Sequence, residues 1–171
     1  MTEAEYEQAS KRMDEALPPD RGGALRPCRQ TFRPSALFMT TTYTLNDKEF
    51  ESILKLQGAK RYEHLVSRVS DWEAVWGLRG DDGWCAAADG DGHSAFPIWP
   101  HPRYAQSCAI GDWGEGVPTA IAVQAFTDEW LPNMAQEGLL IAVFPTPSDA
   151  AVFVPALQLQ AALREALDQY E

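Results

Sequence analysis

The stretch VWGLRGDDGWCAAADGDGHSAFPIW, residues 75–99, decides the fold. Three short apolar runs, VWGLR, WCAAAD and SAFPIW, are separated by GDDG and GDGH. Glycine and aspartate supply the left-handed backbone conformations that tight turns need, so the pattern predicts a three-stranded antiparallel meander. Strands this short need a second layer over one face, and the helices that flank them in sequence are expected to supply it.

Upstream, LNDKEF (residues 45–50) carries a helix start. Asn46 can cap, Glu49 stands three residues on as in a capping box, and Leu45 can staple against Phe50. Phe50, Ile53 and Leu54 then share a face, with Gly58 closing the helix. A second helix, about 59–69, turns Tyr62, Leu65, Val66 and Val69 inward and leaves His64 on its partly exposed flank.

Downstream, FPIWPHP (residues 96–102) reads as a joint. Pro97, lacking an amide hydrogen, fits an edge strand or bulge, and Pro100 stops the strand. His101 takes the cap position and Pro102 the first helical position. Tyr104, Ala105 and Cys108 face inward from the short helix 102–109. VQAFTDEWLPNM places Val123, Phe126, Trp130 and Met134 at helical spacing, with Pro132 bending or ending that helix. GLLIAVFP and AAVFV pair as a hairpin across PTPSD, and Pro155 opens a last helix with Leu159, Leu163 and Tyr170 along it. The expected fold is α+β, an antiparallel sheet of about five strands, meander plus C-terminal hairpin, covered by helices.

The 171 residues, 45% of them hydrophobic, suit one domain that buries roughly 70% of the surface its unfolded chain exposes. Residues 44–171 read as that domain and 1–43 as a flexible extension. LPPDRGGALRPCRQTFRPSALF (residues 17–38) has no helical or strand period and residues 3–17 allow a short helix; the expectation is that 1–38 are an appendage or, alternatively, that translation starts at Met39. The opening MTEAEYEQASKR lacks the basic start and apolar stretch of a secretion signal, so a cytoplasmic, non-membrane protein is expected. Cys28, Cys85 and Cys108 are odd in number and far apart, which suits reduced structural thiols.

The net charge of -11 is uneven. Seven acids and seven bases cancel within residues 1–48, while eighteen acids face seven bases beyond, and that difference is the whole excess. An acidic surface repels phosphate backbones, so no nucleic acid is expected; a basic protein partner remains open.

RYEHLVSRVSDWEAVWGL, DDGW, FPIWPHPRYAQSCA, WLPNM and LLIAVFP, followed by an amphipathic helix, occur in an order and spacing that resemble the bacterial family catalogued as domain of unknown function 2750, over about residues 44–171. The resemblance implies a single α+β domain, bacterial and cytoplasmic, with no established activity. The strand, FPIWP and helix succession is also similar, more faintly, to the enhanced-serine-sensitivity protein family SseB.

Chemistry-bearing motifs are sparse. Cys85 or Cys108 with His64, His93 or His101 would make a nucleophile pair, but none sits in a nucleophile elbow or other activating context, and both cysteines have apolar neighbours. Cys85, His93, His101 and Cys108 offer zinc ligand types without the close pairs of zinc fingers. Asp89, Asp91 and Gly92 resemble part of a calcium loop, yet Ala87 and Ile98 occupy positions that need carboxylates, so a hairpin turn is the better reading. No glycine-rich phosphate loop occurs, and no cofactor or metal is expected. Trp72, Trp76, Trp84 and Trp130 read as packing residues. Trp99 and Trp113 border loops, and with His101, Arg103 and Tyr104 they form the expected surface aromatic binding patch. The functional expectation is a small acidic non-catalytic module, regulatory or immunity-type, for a basic protein. The alternatives are a hydrolase or transferase using His101 with Asp81 or Asp82, and a ligand-sensing domain.

Overall fold

The computed structural model describes residues 43–81 and 83–169. The expectations for residues 1–42, Cys28 and Met39 among them, and for Asp82 and Tyr170 lie outside the described residues.

Helix α1 (Asp47–Leu54) begins where its sequence says it should. The Asn46 side chain accepts the Glu49 amide at 2.8 Å, satisfying one of the helix's orphan donors, and Asp47 and Glu49 lie in the first turn, at the positive end of the dipole. Gly58, expected to end α1, instead opens α2 (Gly58–Trp72), and Lys55 closes α1. Glycine suits that position because a Cβ there would lie 2.7 Å from Val152 Cγ2. Leu65 and Val69 are buried as their spacing predicts, and Tyr62 and Val66 pack half-buried beside them.

The meander follows as β1 (Ala74–Gly80), β2 (Gly83–Trp84), β3 (Ala87–Ala88) and β4 (Ser94–Ile98), all antiparallel in chain order. Its middle strand is broken. Trp84 pairs with Arg79 of β1, whereas Ala87 and Ala88 pair with Ala95 and Ser94 of β4, so the segment leaves one neighbour for the other at Cys85–Ala86.

The single five-stranded antiparallel sheet is therefore corrected to two small sheets. Adding β5 (Val117–Ala122), β6 (Leu140–Val143) and β7 (Val152–Pro155), the first sheet has the order β2-β1-β5 and is antiparallel. The second has the order β3-β4-β6-β7 and is mixed, because β4 and β6 are parallel while β6 and β7 form the expected hairpin. The sheets touch at one backbone bridge, Trp76 to Trp99, with N–H···O distances of 2.9 and 2.8 Å.

Pro97 lies inside the second sheet and is buried, not on an edge. Ile98 directs its carbonyl to the Phe144 amide at the end of β6, and Trp99 bonds Trp76 on the opposite side. Alternation therefore turns the Pro97 nitrogen away from β6, into the gap where the neighbour changes from β3 to β1. No ladder donor is missing there.

Helix α3 (Pro102–Cys108) follows, then the 3₁₀ turn Gly111–Trp113. Helix α4 comprises Val123–Ala125, the π-helical Phe126–Trp130 and Leu131–Gln136. Pro132 does not end it. The irregularity falls just before, where the Leu131 amide reaches back five residues to the Phe126 carbonyl. Helix α5 (Ala156–Asp168) begins after Pro155 and buries Leu159 and Leu163. Gly77 sits under the aromatic core, since a Cβ there would meet Trp84 Cζ3 at 2.9 Å and Phe96 Cζ at 3.2 Å. No helix among the described residues is long and apolar enough to cross a membrane.

Candidate functional site

The joint between β4 and α3 holds four of the five expected binding residues, and it is mostly interior. Trp99 is 0% exposed, donates its indole N–H to the Pro145 carbonyl at 2.9 Å, and meets Trp113 edge-on at 6.0 Å. Trp113 is half-buried and donates to the Ala86 carbonyl at 2.9 Å. The expected surface patch is corrected accordingly: a tryptophan whose N–H finds a carbonyl can be buried whole. Trp72, expected inside, is instead 37% exposed.

His101 is 6% exposed and uses both ring nitrogens. Nδ1 accepts the Arg103 amide at 3.1 Å and caps α3; Nε2 lies 3.1 Å from the Tyr43 carbonyl. These partners assign the ring proton to Nε2. Burial pushes the His101 pKa down, the Tyr43 carbonyl opposes this, and the Arg103 guanidinium adds to it. A protonated Nδ1 could not cap. Arg103 itself donates to the Leu45 carbonyl and to Asp47 Oδ1, both at 2.8 Å, and lies 4.7 Å over the Phe50 ring. It ties α1 to α3, and its side chain stays 41% exposed.

Tyr104 is fully buried, stacked on Phe50 at 5.2 Å and tilted against Phe144 at 4.7 Å. Burial raises its pKa above the usual phenol range, with lesser contributions from Tyr43 and Glu49. Tyr43 is pushed up to about 12, chiefly by burial, while the Arg68 guanidinium, 5.1 Å over its ring, works the other way. Among the described residues, Nε2 of His64 is buried with no hydrogen-bond partner, and the buried hydroxyls of Tyr43 and Tyr104 face each other with no further partner. Burial, then Arg68, lowers the His64 pKa, and Glu49 opposes them. Phe144, whose ring faces both His64 and Tyr104, holds a φ of 49°, the left-handed region that a bulky residue occupies only under strain.

The other expected pairings are not assembled. Asp81 is exposed at the tip of the β1–β2 turn, five residues along from the Trp76–Trp99 bridge; at 3.3 Å per residue that is about 16 Å, outside hydrogen-bond reach of His101. Cys108 donates to the Pro145 carbonyl at 3.3 Å, and burial raises its pKa, against a pull from Ser107, the reverse of an activated thiolate. Cys85 is also buried.

Among the described residues, the one group of His, Cys, Asp or Glu side chains placed to share a metal ion is Asp89, Asp91 and His93, within 4.8 Å of one another, so the four proposed zinc ligands are not gathered. Asp89 is already occupied. Its carboxylate accepts the amides of Asp91 at 2.9 Å and His93 at 2.8 Å and faces the His93 ring at 2.8 Å, and these contacts, the His93 amide foremost, lower its pKa. That is a side-chain-locked hairpin turn.

Arg61 was not anticipated from sequence. It is 1% exposed and donates to the carbonyls of Leu56 and Ala150 and to Asp149 at 2.7–2.8 Å, pinning the start of α2 to the loop before β7. Its position four residues before Leu65 and eight before Val69, on their face of the helix, is the signal that could have found it.

On the surface, Ile110 and Val117 are each 61% exposed. They bracket Asp112 and Glu115, which are exposed and make no ion pair among the described residues. The loop is held by successive turns, Trp113 N–H to the Ile110 carbonyl, Gly114 to Gly111 and Gly116 to Trp113, at 2.9–3.1 Å. No curated protein and no solved structure matches the chain. Residues 62–163 do match the family model described as protein of unknown function, DUF2750, and the chain belongs to that family.

Proposed function

We propose that the protein is a non-catalytic cytoplasmic module, regulatory or immunity-type, that binds a basic protein partner. The observation that carries the reading is the Ile110–Val117 loop. It pairs two apolar side chains, each 61% exposed, with two carboxylates that make no ion pair among the described residues, on a backbone already fixed by its own hydrogen bonds. Apolar contacts of this kind hold a partner, while acids in a chain of net charge -11 attract and orient a basic one. A preordered loop also loses little entropy on binding. The residues of the β4–α3 joint, by contrast, are engaged in capping and packing, which supports a scaffold role for them.

The test is retention of partners from cells of the source organism at low and high salt, by the wild-type chain and by Asp112→Lys/Glu115→Lys. The expected result is a basic protein held at low salt, released at high salt and absent from the double variant. Failure to retain any protein at either salt, or retention indifferent to the substitutions, overturns the reading. A second reading, ligand sensing, is favoured by one observation, the buried polar atoms of Tyr43, His64 and Tyr104, which have no partner among the described residues beyond the contact between the two tyrosine hydroxyls.

A further inference from the structure

We propose that the basic partner docks as an extended segment on the outer edge of β5, adding a strand to the first sheet. This rests on the proposed function and specifies how the partner is held. Of the four edge strands among the described residues, β2 and β3 have two residues each and β7 has four, its Val152 packed at the start of α2; β5 has six.

The phase of the ladder shows what the β5 edge presents. The Val123 amide donates to the Glu73 carbonyl at 2.9 Å, so that pair is hydrogen-bonded. Alternation turns the backbone groups of Ile121, Thr119 and Val117 toward β1, opposite Val75, Gly77 and Arg79. The same phase on β1 leaves Trp76 and Leu78 free to bond Trp99 and Cys85 on the other side, as they do. Ala122, Ala120 and Pro118 therefore direct their backbone outward, and both alanines are exposed.

Edge strands are ordinarily guarded by lysines, bulges or covering loops. VPTAIA has no charge, and Pro118 removes a donor at one end only, leaving the N–H and C=O groups of Ala120 and Ala122. The flanks select for basic residues: Asp112 and Glu115 precede the strand, and exposed Glu73, also without an ion pair among the described residues, lies across from Val123 at the far end. Main-chain bonds to the edge would supply affinity, and the acids at both ends specificity for lysine or arginine.

The probe is a capped peptide of about six residues alternating lysine and valine, a length matched to an ordinary strand. It is titrated at low salt into the full chain, with backbone amides followed by NMR and hydrogen exchange. The expected result is that Ala120 and Ala122 amides slow by about tenfold or more, while Ile121 and Thr119, already bonded to β1, do not change. A peptide N-methylated at alternate amides, and the Ala120→Pro chain, are each expected to lose the protection. Shifts at Asp112 and Glu115 without protection at Ala120 and Ala122 would overturn strand addition and leave the acidic binding surface standing. No shift anywhere would count against both.

Discussion

Replacing His101 with alanine should reveal whether the β4–α3 joint is scaffold. Two hydrogen bonds are lost: the cap to the Arg103 amide and the bond to the Tyr43 carbonyl, each at 3.1 Å. A lost cap costs about 1 kcal/mol, and a lost neutral hydrogen bond about 1 kcal/mol more. The imidazole is 6% exposed and packs 4.9 Å from the Tyr43 ring, so removing it leaves a void worth about a further 1 kcal/mol. The total is about 3 kcal/mol, which for a chain of this size lowers Tm by roughly 6–12 °C. His101→Asn keeps a capping oxygen and should recover about 1 kcal/mol of that. Urea unfolding at pH 7.5 measures both, with an unchanged m-value as the sign that the folded state is otherwise intact. A cost below about 0.5 kcal/mol for alanine, or asparagine no better than alanine, would refute the assignment of His101 as a cap.

Four further outcomes are expected. The folded pKa values of His64 and His101 are lowered, so the unfolded chain takes up protons first; stability is full above the ordinary histidine pKa and falls below it by at most about 1.4 kcal/mol per pH unit per histidine. Tyr43 and Tyr104 are raised, so stability is lost again as pH climbs from 10 toward about 12, and thermal melts across pH read both limbs. Gly77→Ala places a Cβ 2.9 Å from the Trp84 ring and should cost about 1–3 kcal/mol in urea unfolding. Arg61→Met strands the Leu56 and Ala150 carbonyls and should cost about 2–4 kcal/mol, more than Asp149→Asn in the same assay, because Asp149 keeps water. Tyr104→Phe removes a hydroxyl that faces only the Tyr43 hydroxyl among the described residues and should cost about 1 kcal/mol or less; a loss above about 2 kcal/mol would favour ligand sensing.

The helix starts at Asn46 and Pro102 were legible because capping is decided within three or four residues. The two antiparallel pairings, β1 with β2 and β3 with β4, were legible for the same reason, their turns being local, but the break that sends the middle strand of the expected meander into two sheets was not. The parallel pairing of β4 with β6 was not, since it joins residues separated by α3, β5 and α4, and no local pattern encodes that register. Strand β5 escaped notice because VPTAIA alternates weakly and contains a proline, both of which weaken the sequence signal of a strand. Burial at the joint was misjudged for a different reason. Trp99 and His101 border a turn in sequence, but Pro145 and Tyr43, distant along the chain, supply the carbonyls that let them go inside. The proposed binding surface was likewise invisible, because Ile110 and Val117 look like ordinary core residues until the fold leaves both 61% exposed.

The central claim is that the Ile110–Val117 loop and the β5 edge contact a basic protein. The most direct test is a photo-crosslinking residue placed at position 110 or 117, activated in cells of the source organism and read by mass spectrometry. Leu157 on α5, 56% exposed and equally apolar, is the control position. The account predicts one basic protein crosslinked from 110 and 117 and not from 157. No adduct from either loop position, or the same adducts from position 157, would contradict it.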